Sequence, residues 1–484
     1  MKGRVISAVL CGAMVMSMFA GCGVETVESA GESGTEENSG SSSSSAELKG
    51  EGDKEINILI YAQEHEKVVY QELIDEFTQA HKDEIKSVNF EVTTQDEYTT
   101  KMTAAMTAND MPDIFYVGPE SVRSYVDNGY VMALDDYVDQ DAVDNLWPAI
   151  KSAYMYDGSE IGSGSLYCLP KDLSCFAFAY NKDLFDEAGL DYPDPENPYT
   201  WDEFVEVCQA LTKDTDGDGE IDQWGVANAN AFGFTPWVYG NGGQFLSDDY
   251  SQVVITDNEQ FKEAFQYYAD LTLKYQVTPT VEQDTALGGY QRWLDGQIGF
   301  YACGTWDVAA FMDDSTFPYD WDLCGWPVGP SGDGKSTTWL GTVGFAVSST
   351  TEYPELCAEL IQSLSTAEDG QKALCGETTG QSLQIPNIMD YAQTTFKEKV
   401  EDGTIPYASN VDVIFGYIEG SDKYQGVFTE TTYTYNSEWW SVFLEGMPNV
   451  MNGSISVDDY CEEVQPKMQE ALDNAIELQN SATN

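Results

Sequence analysis

Between residues 54 and 118 the chain alternates two kinds of segment, and this alternation limits its possible folds more than any other feature. "EINILIYAQEH" carries an unbroken apolar run from Ile56 to Tyr61, the pattern of a strand buried on both faces. Val69, Leu73, Ile74 and Phe77 then recur at helical spacing between Val68 and Ala80. "SVNFEVTT" reads as a strand, "EYTTKMTAAMTAND" as a helix, and "PDIFYVG" as a short strand closed by Gly118-Pro119. Strands and helices joined by short turns predict an α/β layer on a parallel sheet. Farther on, "CFAFAYNKDLFDEAGL" places a β-rich run before a helix ending at Gly189, and Thr200-Trp201-Asp202-Glu203 is a capping box for the next helix. Leu356 to Leu364 and Val464 to Leu478 also read as helices. A chain of 484 residues has room for two to four domains.

The first residues belong to a different regime. Lys2 and Arg4 precede an apolar run from Val5 to Phe19, which is too short for a lasting transmembrane helix and reads as a secretory signal over residues 1–21. Phe19-Ala20-Gly21-Cys22 resembles the lipobox of bacterial lipoproteins, which implies diacylation of Cys22 and stable membrane attachment. Residues 22–53, rich in Ser, Gly and Glu, bury too little apolar surface to fold and read as a flexible tether. The expected location is extracellular, on the outer face of the cell membrane.

With 22 Lys+Arg against 83 Asp+Glu, the formal charge is −61. Such a surface repels phosphate backbones, so nucleic acid is excluded as a partner. The cysteines beyond Cys22 lie far apart with no C-x-x-C, and the chain holds two His, so zinc and haem spacings are absent. No Gly-x-Ser-x-Gly elbow accompanies His65 or His81, and nothing singles out a pair of glycosidase carboxylates. A surface carbohydrate-active enzyme is therefore the weaker rival to a binding protein, and no catalytic residue is assigned.

One acidic string does suggest a metal. In "TKDTDGDGEIDQWG", Asp214, Asp216 and Asp218 fall at positions 1, 3 and 5 of an EF-hand loop, and Gly219 is the turn glycine. Glu220 offers its carbonyl at position 7 and Asp222 falls at position 9. Position 12, normally a bidentate Glu, is Gly225, and "QWGVANA" looks like a strand where an exit helix should stand. The string predicts a structural calcium staple between a helix and a strand, with an acidic turn as the alternative.

Several segments, in consistent order from about residue 54 to 480, resemble the extracellular solute-binding proteins of sugar ABC importers, the maltodextrin-binding-like family. They are "MPDIFYVGPESVRSYVDNGYVMALDDYV", "LPKDLSCFAFAYNKDLFDEAGL", "GQIGFYACGTWDVAAF", "TWLGTVGFAVSSTTEYPELCAELIQSLSTAEDGQKAL" and "WWSVFLEGMPNVMNGSISVDDYCEEVQPKMQEAL". The resemblance implies a two-lobe periplasmic-binding-protein-like fold (type II), with parallel-rich sheets, helices on both faces and three crossings between the lobes. The first lobe is placed at 54–174 plus 330–385 and the second at 175–329 plus 386–484. It further implies a monomer that captures an oligosaccharide between its lobes and hands it to permease subunits. The same fold also serves sensors that signal to a membrane partner.

A sugar presents apolar C–H faces and a rim of hydroxyls, so its site needs flat aromatic platforms and fixed hydrogen-bonding groups. In the family pattern Trp306, after the strand-ending Gly304, faces the cleft. Trp339, Trp439 or Trp440, and the group Trp237, Tyr239 and Asn241 are further candidates, against core packing as the alternative for each ring. Neighbouring helical tryptophans point about 100° apart, so one of Trp439 and Trp440 is expected to face the ligand. Polar candidates are Gln63, Glu64, Glu120, Lys171 and Asp172, all at first-lobe strand ends and all open to the alternative of solvated loop charge.

Overall fold

The computed structural model describes residues 49–227, 231–313 and 315–482; the predicted signal, Cys22 and the tether up to residue 48 lie outside the described residues. Along the chain the strands are β1 (Lys54–Tyr61), β2 (Ile85–Thr93), β3 (Ile114–Val117), β4 (Met155–Tyr156), β5 (Ser165–Leu166), β6 (Cys168–Pro170) and β7 (Ser174–Asn181). They continue as β8 (Trp224–Val226), β9 (Ile298–Gly304), β10 (Trp321–Cys324), β11 (Ser336–Gly341), β12 (Gly344–Val347) and β13 (Tyr424–Phe428).

These strands build two lobes. The first sheet runs β2-β1-β3-β12-β6, and the second runs β13-β11-β7-β9-β8, with β10 also paired to β7. The opening alternation forms as its pattern requires: β1 pairs parallel with β2 and β3, and Ile56, Ile58 and Ile60 are buried. The sheets are mixed rather than uniformly parallel. β12 returns from the other lobe and so runs antiparallel to β3 and β6, while β7 runs antiparallel to β9, β10 and β11.

The helices also follow their local signals. Thr200 and Glu203 close their capping box, with Thr200 N donating to Glu203 Oε2 at 2.8 Å, and the helix Trp201–Leu211 follows. Gly189 ends the helix Lys182–Ala188 at φ 67°, a left-handed position that suits glycine. The helices Glu438–Met451 and Val457–Ala482 pack on one another and on Glu259–Leu273, closing the second lobe. Among the described residues no helix is long and apolar enough to cross a membrane.

The crossings differ from their expected positions. The chain first leaves the first lobe through residues 171–173, between β6 and β7. The expected return at residue 330 is too early: β11 belongs to the second sheet, parallel to β13 and antiparallel to β7, so the return lies at residues 342–343. The third departure falls later than 385. Trp147 Nε1 donates to the Pro386 carbonyl at 2.8 Å, and Met389 N to Asn145 O at 2.9 Å, which keeps that stretch on the first lobe.

Candidate functional site

All three crossings are tied together by side chains. Asn387 Nδ2 donates to the carbonyls of Pro170 (3.0 Å), Lys171 (3.1 Å) and Ser365 (3.0 Å). Thr342 Oγ1 donates to the Asp172 carbonyl at 2.5 Å and accepts from Tyr154 OH at 3.2 Å. Onto this frame the first lobe adds a buried ionic floor. Lys171 Nζ lies 2.7 Å from Glu66 Oε1 and 3.0 Å from Asp172 Oδ2, and Glu66 Oε2 accepts from Gln63 N at 2.8 Å. Desolvation opposes the Lys171 ammonium, but Asp172 and Glu66 outweigh it and hold its pKa well above the usual lysine value. For Glu66 burial pushes upward, and the Lys171 charge and hydrogen bond overcome it, leaving the carboxyl below its ordinary range.

The second lobe supplies an aromatic wall. The Phe176 ring lies 5.1 Å from Trp339 and 5.3 Å from Trp306, and the two indoles are 6.3 Å apart. Trp339 is buried, while Trp306 keeps 36% of its surface exposed, unusual for so large a ring. Glycine makes this packing possible: a Cβ on Gly304 would lie 2.4 Å from the Trp306 ring, and one on Gly341 would lie 1.9 Å from Trp339. Each indole therefore folds back over the strand end that carries it.

The remaining candidates separate by burial. Trp440 is half-buried, stacked on Phe443 at 5.5 Å and edge-on to Phe245 at 4.9 Å. Its neighbour Trp439 is 1% exposed and donates from Nε1 to Thr434 Oγ1 at 3.1 Å, so Trp440 is the less buried member of the pair. Trp237 is a correction: it is 2% exposed, packed among Phe178, Phe204, Trp201, Tyr267 and Trp326, and belongs to the core. Asn241 is likewise structural, fully buried and bonded to Gln260 O, Glu263 Oε2 and the Ser331 amide. Tyr239 donates to Glu430 Oε2 at 2.8 Å, and that carboxylate also accepts from Phe245 N, which spends Tyr239 on anchoring a loop.

In the first lobe, Gln63 and Glu64 are exposed beside the helix start, and the residue of that segment turned inward is Glu66. Glu120 sits on the turn Pro119–Ser121, which touches the second-lobe turn Glu430–Tyr433, and burial raises its carboxyl pKa. The lobes meet again where Asn128 Nδ2 donates to Tyr435 OH at 3.4 Å. Sequence reasoning missed Glu66, Phe176 and Thr342. For Glu66 no sequence signal existed, since the adjacent Asp172 already offers Lys171 a carboxylate and Glu66 lies 105 residues away.

The acidic loop lies apart from this junction, between the helix Trp201–Leu211 and β8. One carboxylate oxygen each from Asp214, Asp216 and Asp218 can lie within 4.8 Å of the others, so these three fit a cation. The loop folds inward through Gly217 N and Gly219 N, which donate to Asp214 at 2.6 and 2.9 Å. Asp222 does not join them: its two oxygens accept from Thr215 N (2.8 Å) and Thr215 Oγ1 (2.6 Å), which closes the loop's neck. Glu220 is exposed, with its amide donating to Asp218. All eight cysteines of the described residues are free and buried.

The family model for bacterial extracellular solute-binding proteins matches residues 61–371. The chain belongs to that family. Among relatives of this solute-binding protein, a maltotriose-binding protein of Pyrococcus abyssi is 23% identical over 52% of this chain and 49% of its own length. An arabinooligosaccharide-binding protein of Halalkalibacterium halodurans is 23% identical over 50% of this chain and 52% of its own. The chain thus spans about half the length of these two relatives. An ABC substrate-binding protein of Listeria monocytogenes, solved with cycloalternan, superposes with a TM-score of 0.71 over 86% of this chain and 98% of its own, at 20% identity. These relatives are binding proteins, which sets aside the carbohydrate-active enzyme.

Proposed function

We propose that this solute-binding protein captures an oligosaccharide at the junction of its lobes and delivers it to the permease of an ABC importer. The observation that carries the reading is the exposed face of Trp306, backed by Phe176 and Trp339, set at the crossings that also hold the Lys171, Asp172 and Glu66 floor. Stacking on an indole suits the C–H face of a sugar, and the fixed polar groups suit its hydroxyls. The names of the maltotriose- and arabinooligosaccharide-binding relatives support the same ligand class. A ligand that binds the closed lobes better than the open ones shifts the population toward closure by its differential affinity. Attachment through diacylated Cys22, a tether shorter than the expected 22–53 because the amides of Gly50 to Asp53 bond to the carbonyls of Lys82, Glu84 and Lys86, a monomeric body and a calcium ion held by Asp214, Asp216 and Asp218 complete the proposal.

The test is a thermal-shift and calorimetric screen against maltotriose, arabinotriose, xylotriose, mannotriose and diacetylchitobiose. At least one member is expected to raise the melting temperature and bind without being consumed, and Trp306→Ala is expected to weaken that binding tenfold or more. Silence across the panel, or unchanged affinity in the variant, overturns the reading.

A further inference from the structure

The residue beyond the platform carries a feature that the fold alone does not require. β9 ends at Gly304, and the turn to Asp307 is closed from both sides: Asp307 N donates to Gly304 O at 3.0 Å, and Gly304 N donates to Asp307 Oδ2 at 3.0 Å. That second bond fixes the carboxyl group. Oδ1 accepts nothing from the described residues and is not sealed from solvent. No lysine, arginine or histidine of the described residues lies within ion-pair distance of it. The titratable neighbour is the Cys303 thiol on β9, which burial keeps neutral with its pKa well above the usual thiol range. Burial raises the Asp307 carboxyl to about 7, with the Gly304 amide opposing.

A turn of this kind needs one acceptor, which a serine or asparagine supplies without desolvating a charge. A carboxyl group on the residue that follows the exposed indole, with one oxygen fixed and the other without a donor among the described residues, has an acceptor to spare for an outside donor. We infer that Asp307 reads the ligand: through Oδ1 it accepts a hydrogen bond from a rim hydroxyl of the sugar ring stacked on Trp306, and so selects among sugars by the position of that hydroxyl. This rests on the carbohydrate-binding reading above. The geometry suits it, because a ring lying face-down on an indole turns its hydroxyls outward to the platform's edge.

The pH dependence follows with a definite sign. With ligand bound, the carboxylate holds two donors, the Gly304 amide and the sugar hydroxyl, and hydrogen bonds to the charged form favour it. Binding therefore draws on the ionised state and strengthens as pH rises through 7. An asparagine keeps the turn's acceptor but cannot ionise.

The experiment applies the same five sugars to the wild-type protein, Asp307→Asn and Trp306→Ala by calorimetry at pH 5.5 and 8.5. Trp fluorescence of each ligand-free protein is titrated alongside. For the sugar that binds, wild-type affinity is expected to rise about tenfold or more from pH 5.5 to 8.5. Asp307→Asn is expected to be flat across that range and roughly tenfold weaker than wild type at pH 8.5. A fluorescence midpoint near 7, lost in Asp307→Asn, is expected without any ligand. Equal affinity of Asp307→Asn and wild type at both pH values overturns the inference while leaving sugar binding intact. Loss of affinity in Asp307→Asn with none in Trp306→Ala overturns the inference as stated, since it places the hydroxyl on a ring stacked on Trp306. Silence of the panel on the wild type removes the carbohydrate reading and this inference together.

Discussion

Trp306 and Trp237 illustrate at single residues what a chain does and does not disclose. Both lie in aromatic-rich stretches near glycines, so local sequence treats them alike; only tertiary packing leaves one 36% exposed and the other 2%. Their variants are expected to separate accordingly. Trp237→Ala empties a site lined by five aromatic rings and is expected to cost about 3–5 kcal/mol in urea unfolding, whereas Trp306→Ala is expected to lower ligand affinity with little change in melting temperature. Lys171 was legible as a strand-end polar group, but its partner Glu66 sits 105 residues away and no local pattern links them. Lys171→Met strands two carboxylates in the interior and is expected to cost about 3–5 kcal/mol. The pH signature has two edges. The depressed Glu66 carboxyl contributes stability present above the ordinary glutamate pKa and lost as pH falls through its lower folded value. The raised Lys171 contribution is present below the ordinary lysine pKa and lost as pH climbs past its folded value. Asp307 works the other way: its raised pKa makes stability fall as pH rises from about 4 to about 7, so Asp307→Asn is expected to melt higher than wild type at pH 8 and equally at pH 4.

At the level of elements, the opening alternation was readable because buried strands and amphipathic helices have different periods, and the capping box at Thr200 gave its helix start directly. The second crossing was not readable. "STTWLGTVGFAV" is rich in strand-forming residues throughout, and the break at residues 342–343 carries no Pro, Asn or Asp, only Gly341 and Gly344 on either side. β11 and β12 therefore look like one strand in sequence, although they belong to different sheets. The acidic loop shows the reverse case, in which its turn chemistry was explicit but its ligand set was overcounted. Asp222 reads as a ligand by spacing and is occupied by Thr215 in the fold. If calcium binds as proposed, saturation at about a hundred times Kd adds about 2.7 kcal/mol, visible as a melting shift reversed by EGTA. Asp218→Asn is expected to abolish that shift and Asp222→Asn to retain most of it, since the latter residue closes the neck rather than meeting the ion. Equal loss in both variants would return Asp222 to the ligand set.

The whole molecule is dominated by its charge. At −61, the excess of carboxylates far outnumbers the cations available to pair with them, so most acids have no cation partner. Added salt then acts on two opposed contributions. It weakens exposed pairs such as Lys467–Glu463, which are worth at most about 1 kcal/mol each, and it screens the repulsion among unpaired acids spread over both lobes. Repulsion involves many more charges and resists compaction, so screening it is expected to prevail. The buried Lys171 floor is shielded from bulk ions and contributes little to this response. The ligand-free protein is therefore expected to melt several degrees higher in 0.3 M than in about 0.01 M sodium chloride, where the Debye length falls from about 30 Å to well under 10 Å. The same screening eases the approach of one acidic lobe to the other, so sugar affinity is expected to rise with salt in parallel. A melting temperature that falls with salt would mean that paired charges, few as they are, outweigh the excess.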